Sequence, residues 1–158
     1  MQDLKVNWKF DHEFYFPGSE VNCKLIFKST PTVKQPKSIP LFYVSGKTKG
    51  LIDSRMVKLK QNSKRSEKKQ FGVGDLETKS GEVLFETESQ IVCTDISIQP
   101  FKKYSCNYKI TLPNWIPPTF HGTSITILYY ILINYQSSIN NISSIKIPLR
   151  IFCTSSGK

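Results

Sequence analysis

The sequence predicts an all-β protein that folds as an antiparallel β-sandwich. Its 158 residues contain no alanine, and the 39% of hydrophobic residues are mainly Ile, Leu, Val, Phe and Tyr, which fit pleated sheets better than helices. Several short segments alternate between apolar and polar residues, turn residues separate them, and no segment shows the 3.6-residue period of a helix. The length suits one domain with its own core, so we expect residues 1–158 to form a single sandwich.

The first predicted strands form a hairpin-like pair. Every second residue of Leu4–Phe10 is apolar, and the same alternation returns in Val21–Phe27. Between these segments, Phe16-Pro17-Gly18-Ser19-Glu20 has the residue types of a tight turn. We therefore expect the two strands to be neighbours in one sheet.

The middle of the chain has a weaker pattern. Three prolines among Ser, Thr and Lys predict a loop over residues 29–40, and two short strands are predicted at Ile39–Val44 and Leu51–Leu59. Residues 60–74 are polar, charged and rich in turn residues, which predicts a mobile basic loop.

The second half of the chain has the clearest β pattern. Its predicted strands are Glu82–Phe85, Ile91–Ile98, Tyr104–Leu112, Ile125–Tyr135 and Ile145–Ile151. Both faces of Ile125–Tyr135 are apolar, which predicts a central strand covered on both sides. Three prolines between Pro113 and Gly122 predict a long corner.

The composition disfavours membrane-spanning and metal-binding proteins. No run of about eighteen apolar residues is present, so no membrane-spanning helix is predicted. The first residues are polar and lack the apolar core of a signal peptide, which predicts a cytosolic chain. The cysteines are widely spaced, without a C-x-x-C pair or a neighbouring His, so we expect small buried hydrophobes rather than disulfides or zinc ligands at Cys23, Cys93, Cys106 and Cys153.

Catalytic chemistry is not predicted. His12 and His121 lie beside turns, with no nucleophile, base and orienting group nearby in the sequence, so both are expected to be exposed loop residues. Asp95 is expected to make a local hydrogen bond at a strand edge or turn. The sequence therefore predicts a protein that is not an enzyme and that uses no metal and no cofactor.

The net charge of +10 is distributed unevenly. The densest basic cluster consists of Lys58, Lys60, Lys64, Arg65, Lys68 and Lys69. Such a run is either a solvated loop or a contact for an anionic membrane or an acidic partner, where each basic residue contributes on the order of 1 kcal/mol. The cluster has no aromatic residue for base stacking, which disfavours nucleic acid as its ligand.

Two segments resemble elements of arrestin-fold proteins. Phe16-Pro-Gly-Ser-Glu-Val21 resembles the turn before the second strand of that family, and Leu112-Pro113 with Pro117-Pro-Thr-Phe-His-Gly122 resembles its proline-rich corner. From the residues alone, this corner is either a partner-binding element or a structural turn. In the structural interpretation, the Phe120 ring packs between the sheets and Gly122 adopts a backbone angle that other residues avoid.

A narrower resemblance covers most of residues 81–153. Ile91-Val-Cys-Thr-Asp-Ile-Ser-Ile-Gln-Pro100, the corner with its flanking Tyr-rich strands, and Ile147-Pro-Leu-Arg-Ile151 resemble the reduced growth phenotype family. Members of that family are the arrestin-like subunits of Ric–Rgp guanine-nucleotide exchange complexes of the Golgi. They normally contain two arrestin-like lobes, and this chain is expected to correspond to the N-terminal one.

The resemblance implies a non-catalytic scaffold with an arrestin-like, immunoglobulin-like sandwich. Such subunits pair with a Ric-family subunit that contains a β-propeller, and the complex activates a Golgi Rab GTPase in endosome-to-Golgi retrograde transport. It also implies a cytoplasmic location, peripheral at the Golgi membrane. The structural motif residues implied by the family are Pro17, Gly18, Pro117, Pro118, Phe120 and Gly122.

Two other functions are alternatives at this point. An arrestin-related adaptor for cargo or ubiquitin ligases would use a P-P-x-Y motif, whereas Pro117-Pro118-Thr119-Phe120 ends in Phe. A basic nucleic-acid-binding module would bind generic DNA or RNA with a steep dependence on salt.

Overall fold

The computed structural model describes residues 4–31, 33–54, 81–138 and 141–153. These residues form β-strands and no helix, which confirms the predicted all-β class. In chain order the strands are β1 (Leu4–Phe10), β2 (Glu20–Ser29), β3 (Ile39–Ser54), β4 (Glu82–Glu86), β5 (Gln90–Ile98), β6 (Lys103–Thr111), β7 (Phe120–His121), β8 (Ile125–Ser138) and β9 (Asn141–Leu149).

One sheet has three strands in the order β1-β2-β6, and all pairs are antiparallel. The predicted pairing of the first two strands is confirmed, since Leu4 lies opposite Ser29 and Phe10 lies opposite Cys23. In β2 the odd-numbered residues are buried and the even-numbered residues face outward, as the period of two requires. This sheet therefore has one face on the core and one face toward solvent.

The second sheet is built around β3 and β8, which pair along most of their length. β4 and β5 share the other edge of β3, and β7 and β9 share the other edge of β8. The prediction that β8 is covered on both sides is wrong, because Leu128 on its outer face is 42% exposed. Apolar residues on that outer face lie beside lysines of β3, with Lys47 opposite Leu132 and Lys49 opposite Tyr130.

The core lies between the two sheets. Across it, the Phe27 ring of β2 meets the Tyr135 ring of β8 edge to face, with centroids 5.6 Å apart. The fully buried side chains come from both sheets and include Val21, Leu25, Phe27, Leu41, Val44, Ile98, Tyr108, Ile131, Ile133 and Ile147.

β3 is one continuous strand, so the prediction of two short strands separated near Gly46 and Gly50 is wrong. Both glycines are buried. A Cβ atom on Gly46 would lie 2.8 Å from a ring carbon of Tyr108, and one on Gly50 would lie 2.5 Å from a ring carbon of Tyr129. The two glycines of β3 thus leave space for the Tyr108 and Tyr129 rings to pack directly against its backbone. The second predicted segment also extends to Leu59, which lies outside the described residues.

A buried hydrogen bond joins the two sheets beside these glycines. The hydroxyl oxygens of Thr48 in β3 and Tyr108 in β6 are 2.8 Å apart. The backbone N–H of Thr48 donates to the Thr87 hydroxyl at 2.9 Å. Burial raises the pKa of Tyr108, so its hydroxyl stays neutral and can take part in this network.

The cysteines follow the prediction only in part. Among the described residues all four thiols are free, and Cys23 is buried, with burial raising its pKa to about 12. Cys93 and Cys106 are half-buried and their thiols share a hydrogen bond, although the former lies in the six-stranded sheet and the latter in the three-stranded one. Cys153 is exposed, so the expectation that it is buried is wrong.

Replacing Gly46 with Ala should destabilise the fold, although Ala usually suits a strand better than Gly. The new methyl group would overlap the Tyr108 and Ile133 side chains, and such overpacking costs about 1–3 kcal/mol. Chemical denaturation of the single variants and of Gly46→Ala/Tyr108→Leu would measure the coupling. The double variant should lose less stability than the sum of the two single losses. Strict additivity would show that the ring does not occupy this space.

Candidate interaction surfaces

The predicted Pro-Gly turn has the geometry of a type II turn. The Ser19 N–H donates to the Phe16 carbonyl at 3.0 Å, Pro17 occupies the second position, and Gly18 has a φ of +87° at the third. L-residues with a side chain rarely adopt that angle, and a Cβ atom here would also lie 2.3 Å from Asn114 Oδ1. Glycine is therefore required at this position.

This turn and the proline-rich corner, the two segments of the arrestin-like resemblance, contact each other. The Gly18 N–H donates to the Pro113 carbonyl at 3.1 Å, and the Leu112 N–H donates to the Ser19 carbonyl at 2.9 Å. Leu112 and Ile116 bury their side chains and anchor the corner in the core.

The far side of the corner is held by hydrogen bonds to β8 and to the end of the chain. The Tyr129 hydroxyl donates to the Pro117 carbonyl at 2.5 Å. The backbone N–H of Ile151 donates to the Thr119 hydroxyl at 2.9 Å, and the Thr119 N–H donates to the Ile151 carbonyl at 2.6 Å. These contacts favour the structural interpretation of Pro117 and Pro118.

Two details of the predicted corner are wrong. Phe120 does not pack between the sheets, since it lies in the edge strand β7 and is 49% exposed. Ile116 is the corner residue that fills the core instead. Gly122 is not among the residues with positive φ, and its importance is space, because a Cβ atom there would lie 2.5 Å from a carbon of the Phe120 ring.

A cluster of aromatic rings lies on the surface next to this corner. The rings of Phe14 and Phe152 stack with centroids 4.4 Å apart, and the Phe16 ring meets Phe14 edge to face at 5.6 Å. The Arg150 guanidinium lies 5.6 Å from the centroid of the Phe152 ring. We call these four residues the Phe14–Phe152 surface.

The fold presents these rings through a short parallel bridge. Tyr15 lies opposite Ile151, the Tyr15 N–H donates to the Arg150 carbonyl at 2.9 Å, and the Phe152 N–H donates to the Tyr15 carbonyl at 2.8 Å. Tyr15 and Ile151 point inward and are buried, so their chain neighbours point outward. Phe14 and Phe152 remain 37% and 38% exposed although they stack on each other.

The remaining predicted site residues do not form a second site. His12 and His121 are exposed, as expected, but the expectation that His121 lies in a loop is wrong, because it belongs to β7. His12 Nδ1 lies 3.3 Å from Asp11 Oδ1. Asp95 is an exposed residue within β5 with a φ of +53°. The basic loop predicted at 60–74 and the cluster from Lys58 to Lys69 lie outside the described residues.

The part of the chain that the structure describes holds no group of three or more metal-ligating side chains. Within the same residues, no helix is long and apolar enough to cross a membrane.

Comparison with known proteins identifies the family. A family profile described as Rgp1 matches residues 35–157, which is most of the chain. The chain belongs to the Rgp1 family. A 71-residue segment of this Rgp1 family member is 30% identical to the human protein named RAB6A-GEF complex partner protein 2. Its identity to the Bos taurus protein of the same name is also 30% over 71 residues. The segment covers 45% of this chain and 18% of each relative.

Solved structures agree with the arrestin-like fold of this Rgp1 family member. The crystal structure of Spo0M, a sporulation control protein from Bacillus subtilis, superposes with a TM-score of 0.59 at 14% identity. The match covers 94% of this chain and 49% of Spo0M. The fold is therefore an arrestin-like β-sandwich, as the sequence predicts.

Sequence reasoning did not find the Phe14–Phe152 surface. Phe14-Tyr15-Phe16 precedes the Pro-Gly turn and Phe152 lies far away in the sequence, so no local pattern joins them. The three consecutive aromatic residues could have indicated such a surface. Alternate residues of an extended segment face opposite sides, so if Tyr15 is buried, the Phe14 and Phe16 rings must face solvent or a partner.

Phe27→Ala and Phe120→Ala form a matched pair that tests the corrected packing. Phe27 is fully buried and its loss should cost about 3–5 kcal/mol, whereas loss of the half-exposed Phe120 ring should cost about 1 kcal/mol. Equilibrium denaturation of both variants measures the difference. Equal losses would contradict the exposed position of Phe120.

Proposed function

We propose that this chain is a non-catalytic subunit of a guanine-nucleotide exchange complex that acts on a Rab GTPase. The match of the Rgp1 family over residues 35–157 is the observation that carries the proposal. The names of the human and bovine relatives, which refer to a RAB6A-GEF complex partner, support it.

The proposed mechanism is association with a Ric-family subunit that contains a β-propeller. The Phe14–Phe152 surface has the composition of an interface centre, because aromatic and arginine side chains contribute most of the binding energy at protein interfaces. Stacking already fixes the Phe14 and Phe152 rings, so little side-chain entropy is lost when a partner covers them. The assembled complex, rather than this chain alone, would then open the nucleotide site of the GTPase.

The proposal includes a subcellular location and a transport step. The resemblance to the reduced growth phenotype family supports a cytoplasmic location, peripheral at the Golgi membrane, and a role in endosome-to-Golgi retrograde transport. The sandwich needs no cofactor for this role, because a scaffold acts through the surfaces that it presents.

Removing the two stacked rings with Phe14→Ala/Phe152→Ala should break the complex without unfolding the chain. Tagged full chain would be purified from detergent extracts of its own cells, and co-purified proteins would be identified by mass spectrometry. The parent should recover a β-propeller subunit and a Rab GTPase. The double variant should recover at least tenfold less of both, since each lost hot-spot ring costs about 1–2 kcal/mol or more.

Phe42→Ala is the matched control for this experiment. Phe42 is also aromatic and is 42% exposed, but it lies in β3 of the six-stranded sheet, outside the Phe14–Phe152 surface. This control should recover the partners at the parental level. Recovery of a ubiquitin ligase or membrane cargo instead of a propeller subunit would move the chain to the adaptor function, and recovery of nucleic acid would support the second alternative, a nucleic-acid-binding module.

A further inference from the structure

The outer face of the three-stranded sheet carries six lysines. Three antiparallel strands place on this one face the side chains of Lys5, Lys9, Lys24, Lys28, Lys103 and Lys109, which we call the lysine face. The positions between them are short polar residues, apart from Ile26 at the centre. The lysines come from three separate parts of the sequence, so only the strand register brings them together.

The register places like charges directly beside one another. Lys28 lies opposite Lys5 on one side and opposite Lys103 on the other, and Lys9 lies opposite Lys24. Neighbouring strands are about 4.8 Å apart, and like charges in directly opposed positions destabilise a sheet. Among the described residues, no carboxylate lies within ion-pair distance of these lysines. Two carboxylates share the end of the face away from the Lys5–Lys28–Lys103 row. Glu20 lies opposite Thr111, and Asp11 Oδ2 accepts a hydrogen bond from the side chain of Asn22, the residue opposite Lys109.

An exposed aromatic ring lies at the edge of the first lysine row. The turn from Gln99 to Lys102 connects the two sheets, and Phe101 at its tip is 62% exposed. The Phe101 N–H donates to the Ser29 carbonyl at 2.8 Å, which places this residue at the end of β2, where Lys28 lies opposite Lys103. Phe101 has a φ of +63°, an angle that bulky L-residues rarely adopt and that glycine would adopt freely.

We propose that the lysine face, with Phe101 at its edge, docks the protein on an anionic phospholipid bilayer. The sheet presents its positive charges in one broad layer, which complements the charge of a planar membrane surface. Aromatic side chains favour the boundary between lipid headgroups and acyl chains, so Phe101 would insert there beside the lysine row. This assignment deepens the peripheral membrane location in the proposed function and names the residues responsible.

The composition of the face distinguishes a bilayer from other anionic partners. Protein interfaces are depleted in lysine and rely on buried aromatic and arginine residues, which the centre of this face lacks. Single-stranded nucleic acids require aromatic platforms on which bases stack, and the face between the lysines offers Asn, Ser and Ile26 instead. Lysines with one aromatic residue at the edge of the patch match an anionic lipid surface best.

Vesicle flotation of the full chain tests this inference without the partner subunit or the GTPase. The chain should bind phosphatidylcholine vesicles that contain phosphatidylserine, should not bind pure phosphatidylcholine, and should dissociate as salt rises. A lysine near an anionic surface strengthens binding about fivefold, so Lys5→Gln/Lys28→Gln/Lys103→Gln should weaken it on the order of 100-fold. Phe101→Gly should weaken binding while leaving the fold at least as stable.

The matched control removes the same charge elsewhere. Lys34→Gln/Lys49→Gln/Lys146→Gln changes one loop lysine and two lysines on the outer face of the other sheet, and binding should stay within about fivefold of the parent. The variant with the Lys5, Lys28 and Lys103 replacements should melt no lower than the parent, because it relieves the repulsion between these three lysines.

Absence of binding at low salt would overturn the proposal. Equal losses of binding in the two triple variants would also overturn it, as would tighter binding to duplex DNA or RNA through the same lysines. Because no partner is present, failure here leaves the proposed exchange-complex function standing.

Discussion

The sandwich depends on the space that Gly46 and Gly50 leave on the inner face of β3. The Tyr108 ring comes from the opposite sheet and the Tyr129 ring from the neighbouring strand, and their nearest carbons lie 2.8 and 2.5 Å from where a Cβ atom on Gly46 or Gly50 would be. Between the two glycines, Thr48 meets the Tyr108 hydroxyl at 2.8 Å in the buried core. Because β3 pairs with β4, β5 and β8, the contact of Tyr108 with Gly46 joins β6 to the centre of the six-stranded sheet, whereas the Tyr129 contact with Gly50 lies within that sheet.

The same arrangement connects the core to the surface. The Tyr129 hydroxyl reaches the Pro117 carbonyl, Thr119 in that corner is hydrogen-bonded to Ile151, and Ile151 pairs with Tyr15. This chain of contacts presents the Phe14–Phe152 surface near the start of β2, whereas Phe101 and the Lys5–Lys28–Lys103 row lie at its end. Under the two proposals, the protein partner and the membrane would therefore contact opposite ends of β2.

The sequence predicted the features that local patterns determine, namely the all-β class, the pairing of β1 with β2, and the Pro17-Gly18 turn. It did not predict that β3 continues through Gly46, because glycine normally weakens a strand and the ring that fills this space comes from Tyr108, far along the chain. Spacing in the corner could not decide whether Ile116 or Phe120 faces inward. The basic cluster at Lys58–Lys69 was visible because it is dense along the sequence, whereas the lysine face is dense only across strands and requires the register of β2 with β6.

The proposed function is tested most directly by measuring release of a fluorescent GDP analogue from the Rab GTPase that co-purifies with the chain. The assay compares the chain alone, its β-propeller partner alone, and the two together. Our account predicts release at the intrinsic rate with either subunit alone and accelerated release only with both. Acceleration by the chain alone, or full acceleration by the partner without it, would contradict the assignment of this arrestin-like sandwich as a non-catalytic but necessary subunit.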